Sequence, residues 1–147
     1  MARKQPQLGA RWFRRGHRRG QALVEFAIVL PVFLMIAFGT IDFGLAFNAS
    51  ITISNAAREG ARAGVTNPTT TAVQTRVRDV AGGMNNSNLT VTVSCKTAGG
   101  AACAGGMAGA VSGTTIVVTV GYRYAMITPI AFGTVVPLSS TAQMRVE

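Results

Sequence analysis

Few side chains in this 147-residue chain could take part in acid–base, nucleophilic or metal chemistry. The acidic residues are Glu25, Asp42, Glu59, Asp79 and Glu147, and the one histidine is His17. These residues form no serine–histidine–aspartate set, no cysteine–histidine pair and no spaced pair of carboxylates suited to acid–base work. We therefore expect a protein that is not an enzyme, with no catalytic residue, no cofactor and no small-molecule substrate.

The two cysteines, Cys95 and Cys103, lie in a stretch dominated by glycine and alanine. A zinc-type site would need further ligands, but no histidine lies outside the N-terminal head and there is no second cysteine pair. The spacing favours a disulfide over a metal site. Such a bridge would stabilise the domain by roughly 2.5 kcal/mol on the loop-entropy model.

The basic residues are concentrated at the N-terminus. Of the 14 lysines and arginines, seven lie in the first 20 residues, which contain no acidic residue. A nucleic-acid-binding fold would spread its basic residues over a folded face, so we expect no nucleic-acid partner. A basic cluster directly before an apolar segment is instead typical of the cytoplasmic flank of a membrane helix.

The apolar segment is long enough to cross a bilayer. Sixteen uncharged residues separate Glu25 from Asp42, and at about 1.5 Å per residue the distance from Ala22 to Asp42 is about 30 Å. We predict a single transmembrane helix over about 22–43, with the N-terminus cytoplasmic and the C-terminal domain extracytoplasmic. Asp42 would lie at the outer boundary, where an interfacial cap is favoured over a contact with a neighbouring subunit.

The helical pattern continues beyond the membrane, so one long helix is predicted over 21–64. Its distal half has a face of small residues at three-to-four-residue spacing, including Gly60 and Gly64. Small residues four apart also occur where two helices touch, which makes these glycines candidate subunit contacts. Packing on the chain's own sheet is the favoured interpretation, because sheet-forming sequence follows.

Residues 65–147 predict a small extracytoplasmic α+β domain. Valines at helical spacing followed by glycines indicate a short helix within Thr69 to Gly83. Three stretches then alternate apolar and polar residues, which predicts an antiparallel sheet covered on one side. They are Leu89 to Cys95, Ile116 to Tyr124 and Leu138 to Val146.

The connection from Ala125 to Pro137 is unusually apolar and includes Ile130 and Phe132. Two interpretations remain open for it. It could be a hydrophobic lid over the end of the sheet core, or a contact patch for a subunit or partner, since exposed apolar patches mark interaction sites.

The start of the apolar segment resembles the processing site of type IV pilin-like proteins. In that family a prepilin peptidase cuts after a glycine, and a glutamate is the fifth residue of the mature chain. The residues Gly20, Gln21 and Glu25 fit this pattern, and Phe26 stands where Flp pilins usually have tyrosine. The resemblance implies a leader of residues 1–20 and a pairing of Glu25 with the new α-amino group of Gln21.

The longer runs GQALVEFAIVLP, GTIDFG and NAAREGARAG are similar to the TadE-like minor pilins or pseudopilins of the tight-adherence (Tad/Flp) pilus and secretion system. The resemblance implies a pilin-like fold and a structural role in pilus assembly, adhesion or secretion at the inner membrane. It also implies four kinds of protein partner: a prepilin peptidase, the inner-membrane Tad platform, the Flp major pilin and other minor pilins.

Two alternatives place the mature N-terminus elsewhere. The chain could be an unprocessed, single-span anchored binding domain that uses the apolar connection as its recognition surface. It could also be a secreted domain released after Ala37-Phe38-Gly39, a small-residue pattern typical of signal-peptide cleavage.

Overall fold

The structure is a computed structural model that describes residues 17–128 and 133–147. It contains the helices α1 (His17–Thr66) and α2 (Thr70–Val80) and the strands β1 (Leu89–Lys96), β2 (Thr115–Ala125) and β3 (Val135–Arg145). Short 3-10 turns lie at Asn86–Asn88 and Gly106–Gly109. A long apolar helix, a short second helix and an antiparallel three-stranded sheet confirm the predicted α+β, pilin-like architecture.

Helix α1 is continuous over 50 residues, with Pro31 inside it, which corresponds to a length of about 75 Å. It begins before Gly20 and ends at Thr66, two residues before Pro68. A proline disfavours helical geometry in the residue before it, so the helix stops ahead of it.

Helix α2 ends before the glycines that predict its stop, and it also has a capped N-terminus. The side chain of Thr69 caps its N-terminus by accepting a hydrogen bond from the Ala72 amide at 3.3 Å. Val73 and Val77, four residues apart, are completely buried. After the helix the chain reverses through Gly83, whose φ of 92° favours glycine.

The sheet has the order β1-β2-β3, with both pairs antiparallel and β2 in the centre. Alternate residues of β2 (Ile116, Val118 and Val120) are fully buried on the side that packs against the helices. On the other side the hydroxyls of Thr119 and Thr141 lie 3.0 Å apart across the register pair. The long helix therefore covers one face of the sheet, as the alternation predicts.

The predicted connection between the second and third strands was too long. Ala125 still belongs to β2, and β3 already begins at Val135, its register partner. Pro137 lies within β3, which is possible because an edge strand leaves half of its backbone N–H groups outside the ladder. Ile130 and Phe132 lie outside the described residues.

The sheet lies alongside the half of α1 that follows Asp42, and β2 runs in the opposite direction to the helix. Near Gly64 the helix approaches Ile116, and near Gly60 it approaches Val118. At the other end, Tyr124 reaches Asp42. We call the Asp42 end of the domain the proximal end and the Gly64 end the distal end.

Candidate functional site

The first half of α1 is covered by nothing else in the described chain. In the apolar window of this helix no residue is buried, and the helix is long and apolar enough to cross a membrane. Apolar side chains that point outward on all sides of a helix need an apolar surrounding. The segment is thus a candidate single-pass membrane anchor.

Glu25 lies in this uncovered half and is exposed. Within the part of the chain that the structure describes, its carboxylate has no hydrogen bond and no salt bridge. Gly20, five positions earlier, has no atom within 4 Å of the place where a Cβ would be. Helix α1 brings Gly20, Gln21, Glu25 and Phe26 onto an accessible stretch, and no other element of the described residues approaches them.

Asp42 is in the opposite situation, because its side chain is only 1% exposed. Its Oδ1 accepts hydrogen bonds from the Tyr124 hydroxyl and the Ile127 amide, each at 3.0 Å. Its Oδ2 accepts from the Thr128 amide at 2.7 Å and also from the Thr128 hydroxyl. We call this group of four residues the proximal clamp.

The proximal clamp holds a carboxylate with neutral donors alone. Four hydrogen bonds come close to the full accepting capacity of a carboxylate. Burial raises the pKa of Tyr124, and the hydrogen bond to Asp42 raises it further. The phenol of Tyr124 therefore keeps its proton at neutral pH and remains a donor. Together with the donors of Ile127 and Thr128, it ties the end of β2 and the segment after it to α1.

Sequence reasoning placed Asp42 at the membrane boundary but missed its partners. They lie 82 to 86 residues away in the chain, and two of the four donors are backbone amides. Amide donors leave no signal in residue types. A weak signal was Thr128, one of two hydroxyl residues in the mostly apolar run from Ala125 to Pro137.

Gly60 and Gly64 are buried against the chain's own domain. A Cβ on Gly60 would lie 2.5 Å from Val77 Cγ2, and one on Gly64 would lie 3.1 Å from side-chain atoms of Ile116 and Val73. The small residues thus allow α2 and β2 to approach the helix backbone closely. This is the packing that the sequence favours over a contact between subunits, and it leaves these two glycines covered.

Cys95 and Cys103 form a disulfide, with their Cα atoms 5.3 Å apart. The bridge lies at the distal end, where the Cys103 amide also donates to the Cys95 carbonyl at 3.0 Å. Both residues are buried in the core cluster. The predicted disulfide is confirmed, and within residues 17–128 and 133–147 no group of three potential metal ligands occurs.

A shallow cleft of about 260 Å³ also lies at the distal end, beside the disulfide loop. Its polar lining side chains are those of Lys96, Thr97, Thr115, Gln143 and Arg145. Lys96 and Arg145 are both register partners of Thr115, which places the three residues in a row across the sheet. This lining offers cations and hydroxyls but neither a general base nor an activated nucleophile.

The segment that matches a known protein family lies entirely within α1. The model of the TadE-like protein family matches residues 20–62. The match starts at the glycine of the predicted processing site and extends through Asp42 to the buried glycine face. No curated protein and no solved structure matches the chain. The resemblance is confirmed for this segment: residues 20–62 of the chain are TadE-like.

Proposed function

We propose that this chain is a minor pilin or pseudopilin, a structural subunit that assists assembly of a tight-adherence pilus or a related secretion machine. The observation that carries the proposal is the TadE-like segment that begins at Gly20. The exposed apolar half of α1 supports it, because such a helix can exchange a lipid surrounding for the surfaces of neighbouring subunits. The role is one of assembly, with no chemical reaction.

Processing would come first. A prepilin peptidase would cut between Gly20 and Gln21, removing the basic leader of residues 1–20. The accessibility of this stretch supports the proposal, since among residues 17–128 and 133–147 no other element lies near Gly20. The mature chain would then begin within α1 and carry a cationic α-amino group only four residues before Glu25.

Glu25 would direct the assembly. A charged side chain at the centre of a bilayer costs about 2.5 to 3.5 kcal/mol and less near an edge, so a carboxylate in this segment needs a partner. Within the described residues Glu25 has none. The α-amino group of Gln21 would supply one, on the same chain or on a neighbour. Pairing across chains would set the register between subunits.

The mature N-terminus is the measurement that tests processing. Mass spectrometry of the membrane-fraction protein, with and without the peptidase, should give a chain starting at Gln21 only when the peptidase is present. A start at Met1 or Ala2 in both samples would favour the unprocessed anchored binding domain. A start at Thr40 would indicate a secreted domain.

The role of Glu25 is tested separately with Glu25→Gln, which keeps the size of the side chain and removes its charge. We expect normal processing and a strong loss of the subunit from the assembled pilus. Glu59→Gln is the matched control, because Glu59 lies on the same helix outside the membrane segment and pairs with Arg76 of α2 at 2.9 Å. Normal assembly of Glu25→Gln would refute the role.

A further inference from the structure

We propose that the proximal edge of the sheet domain lies in the interfacial layer of the bilayer, as a second membrane contact besides α1. This edge is formed by the end of β2, the following segment 126–128 and the first residue of β3, Val135. The proposal needs α1 to span a membrane but does not depend on processing, on pilus assembly or on which side the domain faces.

The depth of this edge is fixed by the proximal clamp. Asp42 lies about 30 Å along the helix from Ala22, which is the thickness of the hydrocarbon core. Two amides of the segment after β2 donate to Asp42, at 3.0 Å and 2.7 Å. The segment is therefore held at the level where the helix leaves the membrane and cannot move along the helix while the clamp is intact.

The composition of the edge matches an interface between lipid and water. Ile127 is 53% exposed although its own amide is held by the clamp, and Val135 is 39% exposed. On α1 just beyond Asp42, within about 8 Å along the helix, Phe43 and Phe47 are exposed and stack on each other. The interfacial region is typically marked by tryptophan and tyrosine, and the two phenylalanines are a weaker version of that aromatic belt.

The charges nearby are also compatible with lipid. Asp42 is the one acidic residue that faces the edge, and its carboxylate is buried under the four hydrogen bonds of the clamp. Arg123 is exposed on β2, two residues before Ala125, which places it about 7 Å farther from the membrane core. A cation at that height can reach lipid phosphate groups.

Lipid is favoured over a protein partner because the edge is continuous with the membrane-spanning helix. A bilayer that covers α1 up to Asp42 necessarily meets whatever is tied to Asp42. A second copy of the chain or bulk water could cover Ile127 instead, and these are the competing outcomes of the test.

Depth-dependent fluorescence quenching can test the proposal in the full-length chain. Trp12, the one native tryptophan, is first replaced by phenylalanine. Ile127→Trp and, separately, Val135→Trp are then placed in vesicles of phosphatidylcholine and phosphatidylglycerol that carry bromine on shallow acyl carbons. Val111→Trp is the matched control, because Val111 is 62% exposed at the distal end. The length of β2, about 34 Å, separates the distal end from the proximal edge.

We expect quenching several-fold stronger at positions 127 and 135 than at position 111, with blue-shifted emission. Both positions are exposed in the native chain, so the fold should tolerate tryptophan. Quenching equal to the control at both positions would overturn the proposal. The proposal would also be overturned if shielding of these tryptophans from water rose with protein concentration and did not depend on lipid. That result would indicate that a second copy of the chain covers the edge. The vesicles contain no other protein, so failure of the assembly role leaves this test unaffected.

Discussion

Gly60 is the position where the packing of the sheet domain on α1 is most sensitive to one added carbon. In Gly60→Ala the new Cβ would lie 2.5 Å from Val77 Cγ2. The same Cβ would lie 3.4 Å from Val118 Cγ1 and 3.5 Å from Val73 Cγ1. Ordinary carbon contacts are about 3.5 to 4.0 Å, so Val77 must move by about 1 Å. Valine is stiff at χ1 and cannot rotate out of the way easily.

The expected cost follows from two opposing effects. Overpacking a well-packed core costs about 1–3 kcal/mol. Alanine is favoured over glycine inside a helix by about 0.5–1 kcal/mol, which offsets part of that cost. We therefore expect Gly60→Ala to lower the free energy of opening of the domain by about 1 kcal/mol, or roughly fivefold in the opening equilibrium.

Hydrogen exchange of the β2 amides in the full-length protein in detergent micelles measures this opening directly. Gly44→Ala is the matched control, because Gly44 lies on the same helix with nothing within 4 Å of the new Cβ. It should not speed exchange. A double-mutant cycle adds the decisive comparison: Val77→Ala removes the clashing methyl, so Gly60→Ala should cost less in that background. Strictly additive costs, or equal exchange in Gly60→Ala and Gly44→Ala, would refute the packing argument.

Three further predictions concern residues that follow Asp42 in the sequence. Replacing Cys95 and Cys103 together by serine should lower the free energy of opening of the domain by about 2.5 kcal/mol on the loop-entropy model. Hydrogen exchange of the β2 amides measures this change, and an unchanged exchange rate would contradict the prediction. The hydrogen bond from Arg76 lowers the pKa of Glu59 below its usual 4.5, so the small stabilisation from this exposed pair should be present above pH 4.5 and lost as pH falls through the folded-state pKa. In Arg76→Gln the Glu59 carboxyl, followed by NMR, should titrate closer to 4.5. Burial and the hydrogen bond to Asp42 raise the pKa of Tyr124 above 10.0. With the other tyrosine replaced by phenylalanine, the absorbance of Tyr124 should therefore titrate above 10.0, and the domain should lose stability as pH rises through the folded-state pKa of Tyr124. Titration at or below 10.0 would contradict the clamp.

Local patterns were sufficient to predict most of the architecture. The strand β1 alternates strictly, β2 alternates apart from Val117, and each turn of α2 repeats a valine, so short-range periodicity indicated both kinds of element. The stop of α1 before Pro68 and the disulfide between Cys95 and Cys103 also depend on residues close in sequence. These features needed no knowledge of how distant parts of the chain meet.

The start of β3 and the clamp could not be predicted in the same way. Val135 and Val136 look like part of an apolar loop, and only their pairing with Ala125 and Tyr124 assigns them to a strand. Asp42 depends on donors that lie more than 80 residues away in the sequence. Both features are set by the register between β2 and β3 and by where the sheet lies along α1, which single-sequence periodicity does not encode.

The contrast between Glu25 and Asp42 separates the assembly role from the structural one. Both carboxylates lie near the ends of one apolar segment, where an unpaired charge is unfavourable. The carboxylate of Asp42 already accepts four hydrogen bonds from its own chain, and these bonds fix the domain on the helix. It therefore has few free acceptor sites for a donor on another subunit. Glu25 has no partner in the described chain. If one of the two acids recognises a neighbour, it is therefore Glu25, and replacing Asp42 should alter the attachment of the domain before it alters contacts between subunits.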